Sequence, residues 1–254
     1  MIEFEIFFAT VAKQGRNNQD NLMIDKYVTS ASELMFFSGK LLTDNSEKRV
    51  FVVSDGAGGG SEGEKASLIT VKEFCKALDF IKCSNFEIAV SKALDEANNK
   101  VTEYFKETGE IGAATVSGIV FEKENALVFN VGDSPVFRLR DGTLEKLSKE
   151  HTVAAEENSD TDEGKNGIDA NTITRYMGNA FESGSGQADM CDFSFRQGDV
   201  YLIASDGVEK GLNNSKIKKL LFKKDKNIAE EIVCRAYKNG SDDDTTAIVI
   251  RVSK

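Results

Sequence analysis

The chain has 254 residues, of which 32 are Lys or Arg and 42 are Asp or Glu, so its formal net charge at pH 7 is −10. Apolar residues make up 40% of the sequence and 17 residues are Phe, which supplies a sizeable core and excludes a disordered polymer. The negative charge and the lack of a basic arm argue against nucleic acid as a partner, because phosphate-backbone binding needs clustered Lys and Arg.

The N-terminal residues include acids where a signal peptide carries positive charge, and no stretch approaches the roughly 20 apolar residues of a membrane span. We therefore expect a cytoplasmic protein without a membrane partner. Four cysteines without a Cys-x-x-Cys pair and a single histidine, His151, argue against a zinc site. The length predicts one domain, residues 1–254.

Predicted strands share short β-branched or aromatic runs bounded by turn residues, and lie at 3–9, 22–28, 49–54, 116–121, 126–131, 135–139, 200–204 and 246–252. Predicted helices share apolar residues at i, i+3, i+4 spacing, and lie at 71–78, 86–105, 217–221 and 229–236. This grouping of strands and helices indicates an α+β domain with segregated layers rather than alternating βαβ units.

Two loop features stand out. Residues 156–163 carry five acids and no base, and the polar run continues to residue 171, so we expect a mobile surface flap there. Three other aspartates, Asp25, Asp141 and Asp199, are interpreted as turn residues.

Aspartates recur where predicted strands meet turns, in the segments Asn18-Gln19-Asp20, Asp55-Gly56-Ala57-Gly58-Gly59, Asn130-Val131-Gly132-Asp133-Ser134, Ser205-Asp206-Gly207 and Asp243-Asp244-Thr245-Thr246. A carboxylate at the apolar end of a strand is costly to desolvate unless it is paired or bound to a cation. Five such sites with almost no histidine point to hard, oxygen-preferring divalent ions, Mg²⁺ or Mn²⁺.

Taken in this order and spacing, these segments resemble the metal-dependent serine/threonine protein phosphatases of type 2C, and in particular their bacterial-type members. The resemblance covers residues 14–252 and includes the run from Ile173 to Gly178. It implies a β-sandwich of two antiparallel sheets flanked on both sides by antiparallel helix pairs. The order of elements predicted from periodicity agrees with this fold.

The resemblance also implies a role for each acidic motif. Asp55 would bridge two metals, the Gly56 carbonyl would help hold the second, and Asp206 and Asp243 would hold the first. Asp20 would act mainly through metal-bound water. Asp133, together with Asp206, matches the pair that holds a weaker third metal in bacterial-type members.

The expected phosphate clamp is displaced. The family has an arginine five positions before the Asp of the Asn-Gln-Asp motif, but here Gly15 occupies that position and Arg16 follows it. Either Arg16 still reaches the phosphate, or Lys13 substitutes as a point charge, or the clamp is lost. Ala57 stands where animal members have a histidine, and we expect His151 to be structural.

The implied function is hydrolysis of phosphoserine and phosphothreonine in proteins by a hydroxide that bridges two Mn²⁺ or Mg²⁺ ions. Phosphorylated proteins and a cognate Ser/Thr kinase are the implied partners. The alternative is a non-catalytic pseudophosphatase that binds metal and phosphoproteins, motivated by the displaced arginine and by Pro135, although the intact acidic ligands count against it. A calcium-binding protein ranks last, because the twelve-residue EF-hand loop is absent from the sequence.

Overall fold

Two antiparallel sheets pack face to face and bury the most apolar strands of the chain between them. A computed structural model describes residues 2–30, 36–58, 62–81, 85–157, 169–178, 188–224 and 226–253. Within these ranges the strands, in chain order, are β1 (Glu3–Val11), β2 (Asn21–Ile24), β3 (Tyr27–Ser30), β4 (Phe36–Asp44), β5 (Arg49–Ser54), β6 (Gly56–Gly58), β7 (Gly112–Ala114), β8 (Val116–Glu122), β9 (Asn125–Val131), β10 (Val136–Arg140), β11 (Thr143–Lys146), β12 (Asp189–Ser194), β13 (Val200–Ala204) and β14 (Thr245–Val252). The helices are α1 (Glu62–Phe80), α2 (Phe86–Thr108), α3 (Val153–Glu157), α4 (Gly207–Gly211), α5 (Asn214–Leu221) and α6 (Ile228–Lys238).

The first sheet has the strand order β11-β10-β13-β14-β1-β4, and the second has the order β12-β9-β8-β5-β2-β3. Strand β14 lies between β13 and β1, pairing Ile248 with both Ile203 and Phe8. Aromatic side chains fill the space between the sheets, where the Phe4 and Phe121 rings lie 4.9 Å apart. Burial of such side chains is the main force that holds the two sheets together.

Helices cover both outer faces of the sandwich. The apolar faces of α1 and α2 pack on the second sheet through residues such as Phe74 and Leu94. On the other side, α5 and α6 pack on the first sheet through residues such as Leu221 and Ile232. Asn85 caps α2 by accepting a hydrogen bond from the backbone N–H of Ile88 at 3.0 Å. The predicted four-layer α/β/β/α sandwich is confirmed.

Several element boundaries differ from the sequence-based expectation. The single strand predicted at 22–28 is a hairpin, β2 and β3, because Asp25 adopts a left-handed conformation with φ 58° and reverses the chain. Edge strands β4 and β12 were not predicted, since edge positions are partly solvated and lack a continuous apolar run. Asp199 follows a turn, as expected, but it is also a buried ion-pair partner of Arg140.

Most of the predicted acidic flap, residues 156–171, is not described, because the described residues leave out 158–168. Its flanks are tied together: the backbone N–H of Val153 donates to Thr172 O, and that of Ala154 donates to Ala170 O. Gly59 of the glycine-rich motif also lies outside the described residues. Among the helices that are described, none is both long and apolar enough to cross a membrane.

Candidate metal centre

One end of the sandwich carries the predicted acidic residues, contributed by both sheets. Asp20 precedes β2, Asp55 follows β5 and Asp133 follows β9, all in the second sheet. Asp206 follows β13 and Asp243 precedes β14, both in the first sheet. All of these except Asp20 line one cleft of about 680 Å³. The fold therefore brings together segments that are more than 200 residues apart in the sequence.

Asp20 lies beneath this cleft and is fully buried. Its Oδ2 accepts a hydrogen bond from Ser205 Oγ at 2.8 Å, whereas its Oδ1 is buried without a hydrogen-bond partner. Burial, with a further contribution from the charge of Asp244, raises the pKa of Asp20 to about 8. Its free oxygen suits a role near a bound cation more than a purely structural one.

Thr115 links the segments that carry Asp55 and Asp133. The Thr115 hydroxyl accepts from the Asp55 backbone N–H at 3.1 Å and lies 2.7 Å from the Ser134 hydroxyl. Burial and the charges of Asp20 and the other site aspartates raise the pKa of Asp55 well above its usual range. Burial, reinforced by a neighbouring carboxylate, raises the pKa of Asp133 to about 7. Both pKa shifts arise because several carboxylates lie close together in a site that is shielded from solvent.

The glycines that follow two of the aspartates are required by close backbone approach. A Cβ on Gly56 would lie 2.1 Å from the carbonyl oxygen of Gly63, and one on Gly207 would lie 2.1 Å from that of Asp244. Any side chain at these positions would clash with backbone rather than with a movable group. The Asp-Gly motifs thus let the aspartates enter a tightly packed site.

Lys210 stands between two of the predicted ligands. Its Nζ lies 2.7 Å from Oδ2 of Asp206 and 2.5 Å from Oδ2 of Asp243. Burial raises the pKa of Asp206, and the Lys210 ammonium opposes that shift. In the part of the chain that the structure describes, no group of three or more acidic, His or Cys side chains is arranged to hold a metal ion as it stands.

The chemistry of the donor set nevertheless fits a hard divalent cation. At this site, three buried carboxylate oxygens have no hydrogen-bond partner: Asp20 Oδ1, Asp133 Oδ1 and Asp206 Oδ1. Such oxygens are costly to desolvate unless they bind a donor or a cation. Carboxylates and a backbone carbonyl, here that of Gly56, are the ligands that Mg²⁺ and Mn²⁺ prefer.

Arg16 reaches the cleft despite its shifted position. Gly15, with φ +83°, turns the chain so that Arg16 lines the cleft, with its Nη2 4.0 Å from Asp243 Oδ1. Asp244 anchors this loop by accepting hydrogen bonds from the backbone N–H of Lys13 at 2.6 Å and of Gln19 at 2.8 Å. Lys13 is not among the described residues that line the cleft.

His151 is buried behind the Asp133 loop. Its Nδ1 accepts from the Gly132 backbone N–H at 3.0 Å, so Nε2 carries the proton and donates to Asp189 Oδ2 at 2.6 Å. The His151 backbone N–H also donates to Gly132 O at 3.0 Å. These contacts agree with the expected structural role, because they fix the segment that carries Asp133.

Sequence reasoning missed two residues of this site. Asp244 received no role of its own, yet both of its oxygens anchor the loop that carries Arg16. Lys210 received no role, although its position four residues after Asp206 places it one helical turn away, on the same side of a helix. The i, i+4 spacing of Asp206 and Lys210 was the available signal.

Comparison with known proteins agrees with this architecture. The sequence profile of the family described as protein phosphatase 2C matches residues 40–232. The chain belongs to the protein phosphatase 2C family. This membership confirms the predicted resemblance and the predicted class of enzyme, a protein serine/threonine phosphatase.

Relatives of this phosphatase 2C chain include the serine/threonine phosphatase stp of Listeria welshimeri, 21% identical over 226 residues that cover 84% of this chain and 88% of that protein. Among solved structures, the S. agalactiae serine/threonine phosphatase superposes with a TM-score of 0.81 at 20% identity, covering 98% of this chain and 100% of that one. The catalytic domain of the phosphatase PstP, solved with two manganese ions, gives 0.75 at 20% identity, covering 99% and 100%. The matching structures confirm the fold.

Proposed function

We propose that this chain hydrolyses phosphoserine and phosphothreonine in proteins, with Mn²⁺ or Mg²⁺ as the cofactor. The observation that carries the proposal is the charge of the cleft. Among the described residues that line it, two are bases, Arg16 and Lys210, and six are acids, Asp55, Asp133, Glu150, Asp206, Glu209 and Asp243. A phosphate dianion cannot bind such a surface unless divalent cations offset its charge. Metal and phosphate are therefore expected to bind here together.

In this proposal Asp55, Asp206 and Asp243 hold the two core ions with the Gly56 carbonyl, and Asp133 with Asp206 holds a third. Ions bound there would supply hydroxide as the nucleophile near neutral pH and would offset the charge of the phosphate. The buried Asp20, whose Oδ1 has no hydrogen-bond partner, would act through water held at the ions.

Arg16 is the candidate phosphate clamp, because its half-exposed guanidinium lines the cleft, lies 4.0 Å from Asp243 and can form two parallel hydrogen bonds with phosphate oxygens. Ala57 also lines the cleft and has no proton to give. The leaving serine or threonine oxygen would then be protonated by water held at the metals, or not at all. We further propose that residues 1–254 act as a single domain in the cytoplasm, opposite a Ser/Thr kinase.

A phosphothreonine peptide assay tests the function. Phosphate release should require Mn²⁺ or Mg²⁺, stop with a chelator, and fall by at least about 10²-fold in Asp206→Asn, as expected when a residue of the catalytic centre is removed. Asp192→Asn makes the same chemical change on the exposed face of edge strand β12 and should leave phosphate release unchanged. Absence of metal-dependent release from the parent protein would favour the pseudophosphatase alternative.

A further inference from the structure

Lys210 occupies the space between two proposed ligands of the first metal. Its ammonium binds one carboxylate at the end of β13, Asp206, and one just before β14, Asp243, at 2.7 and 2.5 Å. These are two of the three carboxylates assigned to the core ions. An ammonium at this position neutralises the same pair of side chains that a divalent cation would use.

The backbone of Lys210 has little freedom to move. Helix α4 is pressed against its neighbours: a Cβ on Gly207 would lie 2.1 Å from Asp244 O, and one on Gly211 would lie 2.3 Å from Ala236 O. The Lys210 backbone N–H donates to Asp206 O at 3.0 Å. Its side chain, in contrast, is 39% exposed and lines the cleft. Lys210 can therefore leave the two aspartates by rotating its side chain into the cleft.

We propose that Lys210 competes with the first divalent metal for Asp206 and Asp243, and so sets the metal concentration at which the site fills. Two cations between the same pair of carboxylates repel each other strongly at these distances. The Lys210 ammonium must then leave before the metal binds. The free energy needed to break its two ion pairs reduces the net free energy of metal binding. This inference rests on the proposed function only in taking Asp206 and Asp243 as ligands.

The competition has a second consequence for the protein without metal. Lys210 offsets two of the crowded carboxylates and so stabilises the fold when metal is scarce. Removing its charge should therefore have opposite effects on two quantities: metal affinity should rise and the stability of the metal-free protein should fall. A lysine with a merely structural role would lower stability without tightening metal binding.

Calorimetric titration of the chelator-treated full chain with MnCl₂ tests the proposal. Lys210→Met should bind Mn²⁺ at least about tenfold more tightly than the parent, because that factor corresponds to one well-formed ion pair and the competition involves two. Its melting temperature without metal should be lower, and the rise in melting temperature on adding Mn²⁺ should be larger. Lys210→Arg keeps the charge and should bind no more tightly than the parent.

Lys223→Met is the matched control, because Lys223 is similarly exposed and pairs with Glu231 at 2.6 Å away from the cleft. It removes one ion pair and one positive charge, and its Mn²⁺ affinity should equal that of the parent. Equal tightening in both Met variants, or none in Lys210→Met, would overturn the competition. Mn²⁺ binding that follows the expected pattern without any phosphatase activity would overturn the proposed function and leave this inference standing.

Discussion

The guanidinium of Arg140 donates to both carboxylate oxygens of Asp199, from Nε at 2.7 Å and from Nη2 at 2.6 Å. The Asp199 side chain is only 1% exposed, and it also accepts from the Tyr201 hydroxyl at 2.8 Å. This pair joins β10 to the turn before β13, on the first sheet. Burial opposes ionisation of Asp199, but the hydrogen bonds from Arg140, the Arg196 backbone and Tyr201 hold its pKa below the usual value.

Asp199→Ala should lower the free energy of unfolding by about 3 kcal/mol, because it leaves the partly buried Arg140 without its partner. Since the folded pKa is lowered, the contribution of Asp199 is complete above the unfolded pKa of 3.8 and is lost as the pH falls through the folded pKa. Urea unfolding of both proteins from pH 7 to pH 2 should show the difference shrinking at the acid end. Glu145→Ala, which removes an exposed partner of Arg138, should cost less than about 1 kcal/mol.

Asp55→Asn should separate stability from function. Burial and four neighbouring aspartates raise the pKa of Asp55, so its charge destabilises the metal-free fold increasingly as the pH rises above 3.8. In chelator at pH 8, the free energy of unfolding of the variant should exceed that of the parent by about 1 to 2 kcal/mol. Its melting temperature should be correspondingly higher. It should lose the stabilisation by Mn²⁺ and all turnover. A variant that is less stable than the parent in chelator would contradict the assigned repulsion.

Asp133→Ala should keep the binding of two Mn²⁺ ions yet lose most of the phosphatase activity. The reason is that Asp133 is proposed to hold only the third, weaker ion, while Asp55, Asp206 and Asp243 hold the others. Calorimetry should resolve the loss of one weak binding event. Loss of every binding event together would place Asp133 in the core of the site instead.

His151→Ala should lower both stability and turnover, because the imidazole ties the Gly132 backbone to Asp189. Burial lowers the pKa of His151, and the Asp189 carboxylate opposes part of that shift. A base with a lowered folded pKa costs stability as the pH falls below its unfolded value of 6.5. The parent protein should therefore lose stability as the pH falls below 6.5, and the Ala variant should show less of this dependence. If the free energy of unfolding changed equally with pH in the two proteins, His151 would not be the cause of the pH dependence.

Arg16→Ala should lower kcat/KM for a phosphothreonine peptide by about 10- to 150-fold, the equivalent of 1.5 to 3 kcal/mol for charged hydrogen bonds to phosphate. Mn²⁺ affinity should stay the same, because Arg16 is not a proposed ligand. Lys13→Ala is the matched control and should keep its kcat/KM. If the loss appears in Lys13→Ala and not in Arg16→Ala, the clamp belongs to Lys13.

Long apolar segments were predictable from the sequence, since periodicity reports which face of an element is buried. Strand β13 matches its predicted bounds, and the Asp141-Gly142 turn joins β10 to β11 as its residues require. The edge strand β4 was not predictable in this way, because its pairing with β1 depends on a partner distant in sequence. Local propensity carries little information about such long-range pairing.

The acidic motifs of the site were predictable because their order and spacing match those of a known family, whereas any one of them alone could be a simple turn. Their mutual arrangement was not, because it depends on how the two sheets pack. The same holds for Lys210, whose contact with Asp243 joins residues 33 positions apart. Contacts of this kind follow from the fold and can be read only once it is known.

The position of β14 in the first sheet has a consequence for the timing of biosynthesis. During translation β14 leaves the ribosome after every other described strand, yet it belongs between β13 and β1 and begins two residues after Asp243. Until it inserts, β1 and β13 lack the strand that joins them, and Asp243 is not fixed at the cleft. A nascent chain therefore has no complete site with which to capture an ion or a phosphoprotein. We therefore expect metal binding and phosphatase activity only in molecules whose synthesis has passed residue 252.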